Sequence, residues 1–246
     1  MRTPTRSGDT CRSGIFCACI RNLCAPAVLL TILAYAQTKE DPGLEQVLQQ
    51  MESVGKTFRS FSARFTQKKY TAILREFDIP ETGEFYYARA KDGSALLRQE
   101  VTSPGVRILT IKGGVAIVYQ PVIKQAQLVD LGKNKDKAEY LALGLGQSPG
   151  RLRQSFEMRY KGTEPAGGAP CSVLYLQPKN AAAAAYFSSI TLWIKKSNGL
   201  PVQQKLQEHN GDYLLVSFSN EKLNPKIPAS TFEQKLPSGV DLQRIQ

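Results

Sequence analysis

The sequence predicts a mainly β protein of the α+β class, an antiparallel meander that curls into a barrel or half-barrel of about 10–11 strands. Three observations carry that expectation. Short runs of strand-like composition recur through most of the chain, turn residues punctuate them, and helical periodicity is confined to one early segment and one interruption in the middle.

Residues 1–36 read as an export signal rather than as part of the fold. Arg2, Arg6, Arg12 and Arg21 form a basic n-region, and Ala25 to Leu33 is an apolar run too short to cross a bilayer, which needs about 20 such residues. Ala34-Tyr35-Ala36 is an A-x-A cleavage site, so the mature chain is expected to begin at Gln37. An uncleaved membrane anchor is the competing reading. Leu23-Cys24 lacks the preceding apolar run of a lipidation site, which makes the expected mature protein soluble, and export places it in the periplasm.

Removing the signal leaves 210 residues, read as a single domain over 37–246 because no stretch suits a linker. Four of the five cysteines leave with the signal, and only Cys171 remains. An intramolecular disulfide is then impossible, and the apolar core must hold the fold. The signal takes a net charge of +3 out of a total of +11, so the mature part keeps about +8. Its basic residues are dispersed, and export argues against nucleic acid as their partner.

The first element of the mature chain is an amphipathic helix. Leu44, Val47, Leu48, Met51, Val54 and Phe58, then Phe61 and Phe65, follow steps of three and four, which predicts a helix from Leu44 to about Lys69. Asp41-Pro42 supplies an N-cap and a first-turn proline.

Beyond residue 75 the pattern turns to strands. They are expected over 84–90, 95–101, 106–111, 115–120, 125–130, 156–161, 172–177, 189–195, 202–207 and 213–220. Lys91-Asp92-Gly93, Lys112-Gly113-Gly114, Ser197-Asn198-Gly199 and Asn210-Gly211 separate them as turns. Several strands, such as 106–111 and 115–119, carry apolar groups on both faces and need cover on both sides. The interruption lies between Lys135 and Phe156, where 138–146 and 150–155 read as short helices around a Ser148-Pro149-Gly150 break. Leu141, Leu143 and Leu145 favour an insert that plugs the open side of the sheet. Residues 163–170 read as a loop, and Ala181–Ala185 as a loop or one helical turn.

Catalytic groups are scarce. His209 is the only histidine and stands beside Asn210-Gly211 at a hairpin tip, so zinc ligation of the usual kinds is unavailable and no metal or cofactor is expected. Ser53-Val54-Gly55-Lys56 fits S-x-x-K formally but has no accompanying motif, and no glycine-rich loop joins a strand to a helix. These residues point to binding rather than turnover, and no enzyme activity is expected.

Specific residues then resemble a family. Ser60-Phe61-Ser62-Ala63-Arg64-Phe65-Thr66-Gln67 is similar to the segment that ends the first helix of LolA-type outer-membrane lipoprotein carriers. Gly83-Glu84-Phe85 with Arg89 resembles the next strand of those carriers, and Pro104, Lys112-Gly113, Tyr119-Gln120-Pro121 and Gln125 fall where they have matching residues. Gly199-Leu200-Pro201, Asn224, Ile227, Pro228, Phe232, Pro237 and Gly239 resemble the closing signature, all in order. Ala90 departs from the family's usual proline, and the tryptophan often found further along that hairpin is missing.

The resemblance implies an incomplete antiparallel barrel covered by helices and enclosing an apolar cavity. It also implies a monomeric periplasmic chaperone that takes acylated lipoproteins from an inner-membrane ABC-type release complex to an outer-membrane receptor lipoprotein. Arg89 corresponds to the arginine that holds the helical lid by hydrogen bonds to its backbone. The expected cavity lining is Phe58, Phe61 and Phe65 from the first segment and Phe85, Tyr87, Leu97, Leu109 and Ile117 from the following strands. Leu143 joins it from the insert, and Leu174, Leu192, Ile194 and Leu215 from the later strands. A periplasmic lipid-binding protein, or an envelope-stress sensor module on the same fold, is the alternative.

Overall fold

A computed structural model describes residues 41–132, 140 and 142–245. The signal expected over 1–36 and Leu141 lie outside them, as do residues 133–139 of the insert.

The chain opens with α1, Pro42–Thr57, where the Asp41 carboxylate accepts a hydrogen bond from the Gly43 amide at 2.8 Å. Such a cap contributes about 1 kcal/mol. The helix then stops short of the predicted Lys69, because Ser60–Thr71 is a strand, β1. Phe61 and Phe65 are four residues apart, a spacing that serves one face of a helix and one face of a strand equally well. The intervening residues decide it: Phe61, Ala63 and Phe65 are buried, while Ser62, Arg64 and Thr66 are not.

The remaining strands are β2 (Glu76–Phe77), β3 (Glu81–Arg89), β4 (Ala95–Ser103), β5 (Arg107–Lys112), β6 (Val115–Gln120), β7 (Gln125–Asp130), β8 (Phe156–Ala166), β9 (Ala169–Pro178), β10 (Ser189–Lys195), β11 (Pro201–Gln207), β12 (Tyr213–Leu223) and β13 (Asp241–Ile245). They join one sheet in the order β13-β7-β6-β5-β4-β3-β1-β12-β11-β10-β9-β8, with β2 hanging on β1. Every pairing is antiparallel except that of β13 with β7. The path runs from one edge strand to another without closing, so the sheet is an open half-barrel. The loop expected over 163–170 is the tip of the β8–β9 hairpin, turning at Gly167 and Gly168, both at positive φ.

Paired residues point to the same face, so the register sorts the sheet completely. The inner face carries Phe61, Phe65, Phe85, Tyr87, Leu97, Ile111 and Phe218, which form one buried cluster, and Leu174, Leu176, Ile190, Leu192 and Ile194, which form a second. Val47, Leu48 and Met51 of α1 belong to the second cluster and Phe58, just past its end, to the first. Burying a side chain such as Leu48 stabilises the fold by about 1.5–3 kcal/mol.

Ser148-Pro149-Gly150 is the start of a helix rather than a break. Ser148 Oγ accepts from the Arg151 amide at 3.4 Å and opens α2, Pro149–Ser155. Ala181–Ala184 forms a further helical turn, α3, capped by Asn180. After β12 the chain crosses the outer face as a strap, where Phe232 is buried in a single 3-10 turn and Gln234 meets Thr110 of β5.

Candidate functional site

The insert between β7 and β8 settles on the inner face of the sheet. Of the helix expected over 138–146, Tyr140 is helical and 142–146 form tight turns, with Leu145 N–H donating to the Ala142 carbonyl at 3.0 Å, while 138, 139 and 141 lie outside the described residues. Ala142 and Leu145 are fully buried and complete the first core cluster, while Leu143, 2% exposed, belongs to the second. The insert therefore bridges the two halves of the inner face.

Two glycines permit this path. Gly144 and Gly146 lie at φ +86° and +65°, where only glycine is free of strain. A Cβ on Gly146 would also stand 2.3 Å from the Phe58 ring. The segment thus presses against the residue that ends α1.

Side chains from two separate strands hold the insert's backbone. Arg89, the last residue of β3, donates from Nη2 to the Gly146 carbonyl at 2.5 Å. Gln204 of β11, 1% exposed, donates from Nε2 to the Leu143 carbonyl at 2.9 Å. Gln147 adds a local contact, its Oε1 accepting from the Gly144 amide at 3.3 Å. The Arg89 Nε–H is buried with no partner among the described residues.

A cavity of about 130 Å³ lies where the insert meets α2, lined by Tyr140, Leu143, Gln147, Leu152 and Phe156 among others. Small-molecule sites run to about 300–1,000 Å³.

Eleven of the thirteen expected lining residues are brought together. Phe58, Phe61, Phe65, Phe85, Tyr87 and Leu97 are in the first cluster, with Leu109 packed on its margin, and Leu143, Leu174, Leu192 and Ile194 are in the second. Ile117 and Leu215 are not with them. Ile117 pairs with Thr110, whose side chain meets the outer strap, and Leu215 pairs with Lys68 and Lys205 on the same outer side. Both strands are apolar on each face, which conceals the parity; Ala116 and Val216 take the inner positions. Gln204 escaped the sequence reading, although it is a polar residue in the apolar phase of Val202, Gln204 and Leu206.

The groups that could do covalent chemistry lie elsewhere. Cys171 is fully buried, and burial pushes its thiol pKa up, away from the reactive thiolate. His209 is exposed in the β11–β12 turn, its Nε2 2.6 Å from the Ala184 carbonyl. Among the described residues no three His, Cys, Asp or Glu side chains gather around a possible ion.

Comparison with known proteins gives this architecture a family. The family model described as "Outer membrane lipoprotein carrier protein LolA" matches residues 56–235. The chain belongs to the LolA family. It is 23% identical to the outer-membrane lipoprotein carrier protein of Pseudomonas fluorescens strain Pf0-1 over 223 residues, covering 91% of this chain and 97% of that one. The crystal structure of an uncharacterized conserved protein from Thermus thermophilus shares the fold at a TM-score of 0.51 and 13% identity, over 82% of this chain and 99% of that one. MucB aligns at a TM-score of 0.49 and 14% identity over 80% of this chain, which spans 64% of the MucB chain.

Several residues that resemble LolA-family motifs have structural roles here. A Cβ on Gly83 would lie 1.7 Å from the Glu100 carbonyl oxygen, where the β3–β4 register shifts. Asn224 accepts from the Arg59 amide at 2.7 Å and donates to the Thr57 carbonyl at 2.9 Å, tying the end of α1 to the end of β12.

Proposed function

We propose that this protein is a periplasmic, monomeric, non-enzymatic carrier that shields the acyl chains of lipoproteins on the inner face of the half-barrel. The insert 142–147 acts as its lid. It receives cargo from an inner-membrane ABC-type release complex and yields it to an outer-membrane receptor lipoprotein. The observation that carries this reading is the seating of Leu143 and Leu145: apolar side chains of a separate insert, held on an apolar sheet face by the hydrogen bonds of Arg89 and Gln204.

The energetics support it. Acyl chains gain about 0.8 kcal/mol per CH₂ buried, so they do not cross water unshielded. The same large term would trap them in a rigid cavity. A lid whose own leucines reoccupy the face when cargo leaves returns part of that energy, and its hydrogen bonds return more. Family membership supports lipoproteins as the cargo.

Native mass spectrometry of the exported protein tests the reading. A co-purifying triacylated lipoprotein is the expected result. Bare phospholipid or a regulatory protein in its place would assign the chain instead to general lipid binding or to envelope sensing.

A further inference from the structure

Large apolar side chains are exposed very unevenly over this sheet. In the antiparallel order, the connections β1–β3, β4–β5, β6–β7, β9–β10 and β11–β12 all open at one end. Of the eleven exposed large hydrophobic residues among those described, eight stand on these connections. Ile73, Leu74, Phe77 and Ile79 occupy the β1–β2 hairpin and the link to β3, with Ile73 90% and Ile79 74% exposed. Val106 precedes β5, Val122 and Ile123 form the β6–β7 turn with Val122 79% exposed, and Tyr186 lies between β9 and β10. The opposite end turns through Lys91-Asp92-Gly93, Gly113-Gly114, Gly167-Gly168 and Ser197-Asn198-Gly199, none of them a large apolar residue.

We propose that the end bearing Ile73 and Val122 seats in the interfacial layer of a phospholipid membrane. Strands are about 4.8 Å apart, so the three neighbouring connections β1–β3, β4–β5 and β6–β7 place apolar tips roughly 10 Å apart over about 20–25 Å of rim. Charged Arg75, Asp78 and Lys124 lie beside the apolar residues within these connections. A protein partner needs a contiguous, desolvated centre to bind, which separated tips do not provide. Lipid headgroups accept them one by one. Behind the largest tip Tyr70, Phe77 and Tyr213 pack at 4.8–5.8 Å between ring centroids, with Lys205 Nζ 4.1 Å from the Tyr213 ring centre. Amphipathic rings and lysine stems of this kind belong at the headgroup level. The excess of basic residues favours an anionic surface. A few side chains of this size give reversible attachment, since even one myristoyl chain binds only marginally.

Membrane seating goes beyond the carrier reading and is tested without cargo. The exported protein is floated with vesicles of phosphatidylethanolamine and phosphatidylglycerol. It is expected to rise with them, and Ile73→Ser with Leu74→Ser, or Val122→Ser with Ile123→Ser, should each lower the partition coefficient roughly tenfold. Leu223→Ser, at the far end of β12, should change nothing. A Leu74→Trp variant should be quenched by brominated phospholipid, which reads the contact as a gained signal. No flotation of the parent protein, flotation that survives both double substitutions, or loss of self-association in their place would overturn the proposal.

Discussion

At the scale of single residues, the proposed lid balance rests on two donors, Arg89 and Gln204. Arg89→Leu removes the bond to the Gly146 carbonyl, and a hydrogen bond to a charged donor is worth about 1.5–3 kcal/mol. Under the proposed function the substitution should weaken the seated insert and leave the cargo-bound form unaffected. Cargo should stay bound while transfer to the receptor slows roughly tenfold or more, and unchanged transfer would remove Arg89 from the lid. Gln204→Leu should act in the same direction by about 1 kcal/mol, since it leaves the buried Leu143 carbonyl unpaired. Cys171 gives a control of a different kind. Its raised pKa keeps the thiol protonated as pH rises toward about 8.5, so a maleimide should label it only after unfolding.

At the scale of elements, β1 is the centre of the sheet and of the first core cluster. Phe61 is fully buried, with its ring 5.8 Å from Phe218 and 6.3 Å from Phe85. Phe61→Ala should cost about 3–5 kcal/mol, read as a lower urea midpoint with an unchanged slope. This strand is also where the sequence is ambiguous, because a four-residue spacing of phenylalanines continues the helical stripe of α1 without a break. β6, β7 and β10 were legible to the residue, since glycine-bearing or turn segments bound clear apolar runs. β13 was not, because all five of its residues are exposed and it carries no burial pattern to read. Arg89 was legible only through its resemblance to a family position. Gln204 could be found only once the pairing Leu192↔Gln204↔Val216 fixed its face.

At the scale of the whole molecule, an unclosed sheet leaves one apolar face that something must cover. α1 covers part of it with its own residues, and Ala142, Leu143 and Leu145 of the insert, the segment proposed as displaceable, pack on it as well. The central claim is that cargo and lid compete for that face. Hydrogen exchange across 142–147, compared with and without a bound triacylated lipoprotein, tests it most directly. The account predicts that protection of the Leu145 amide, which donates to the Ala142 carbonyl, falls roughly tenfold or more when cargo is bound. Unchanged protection in the loaded protein would contradict it.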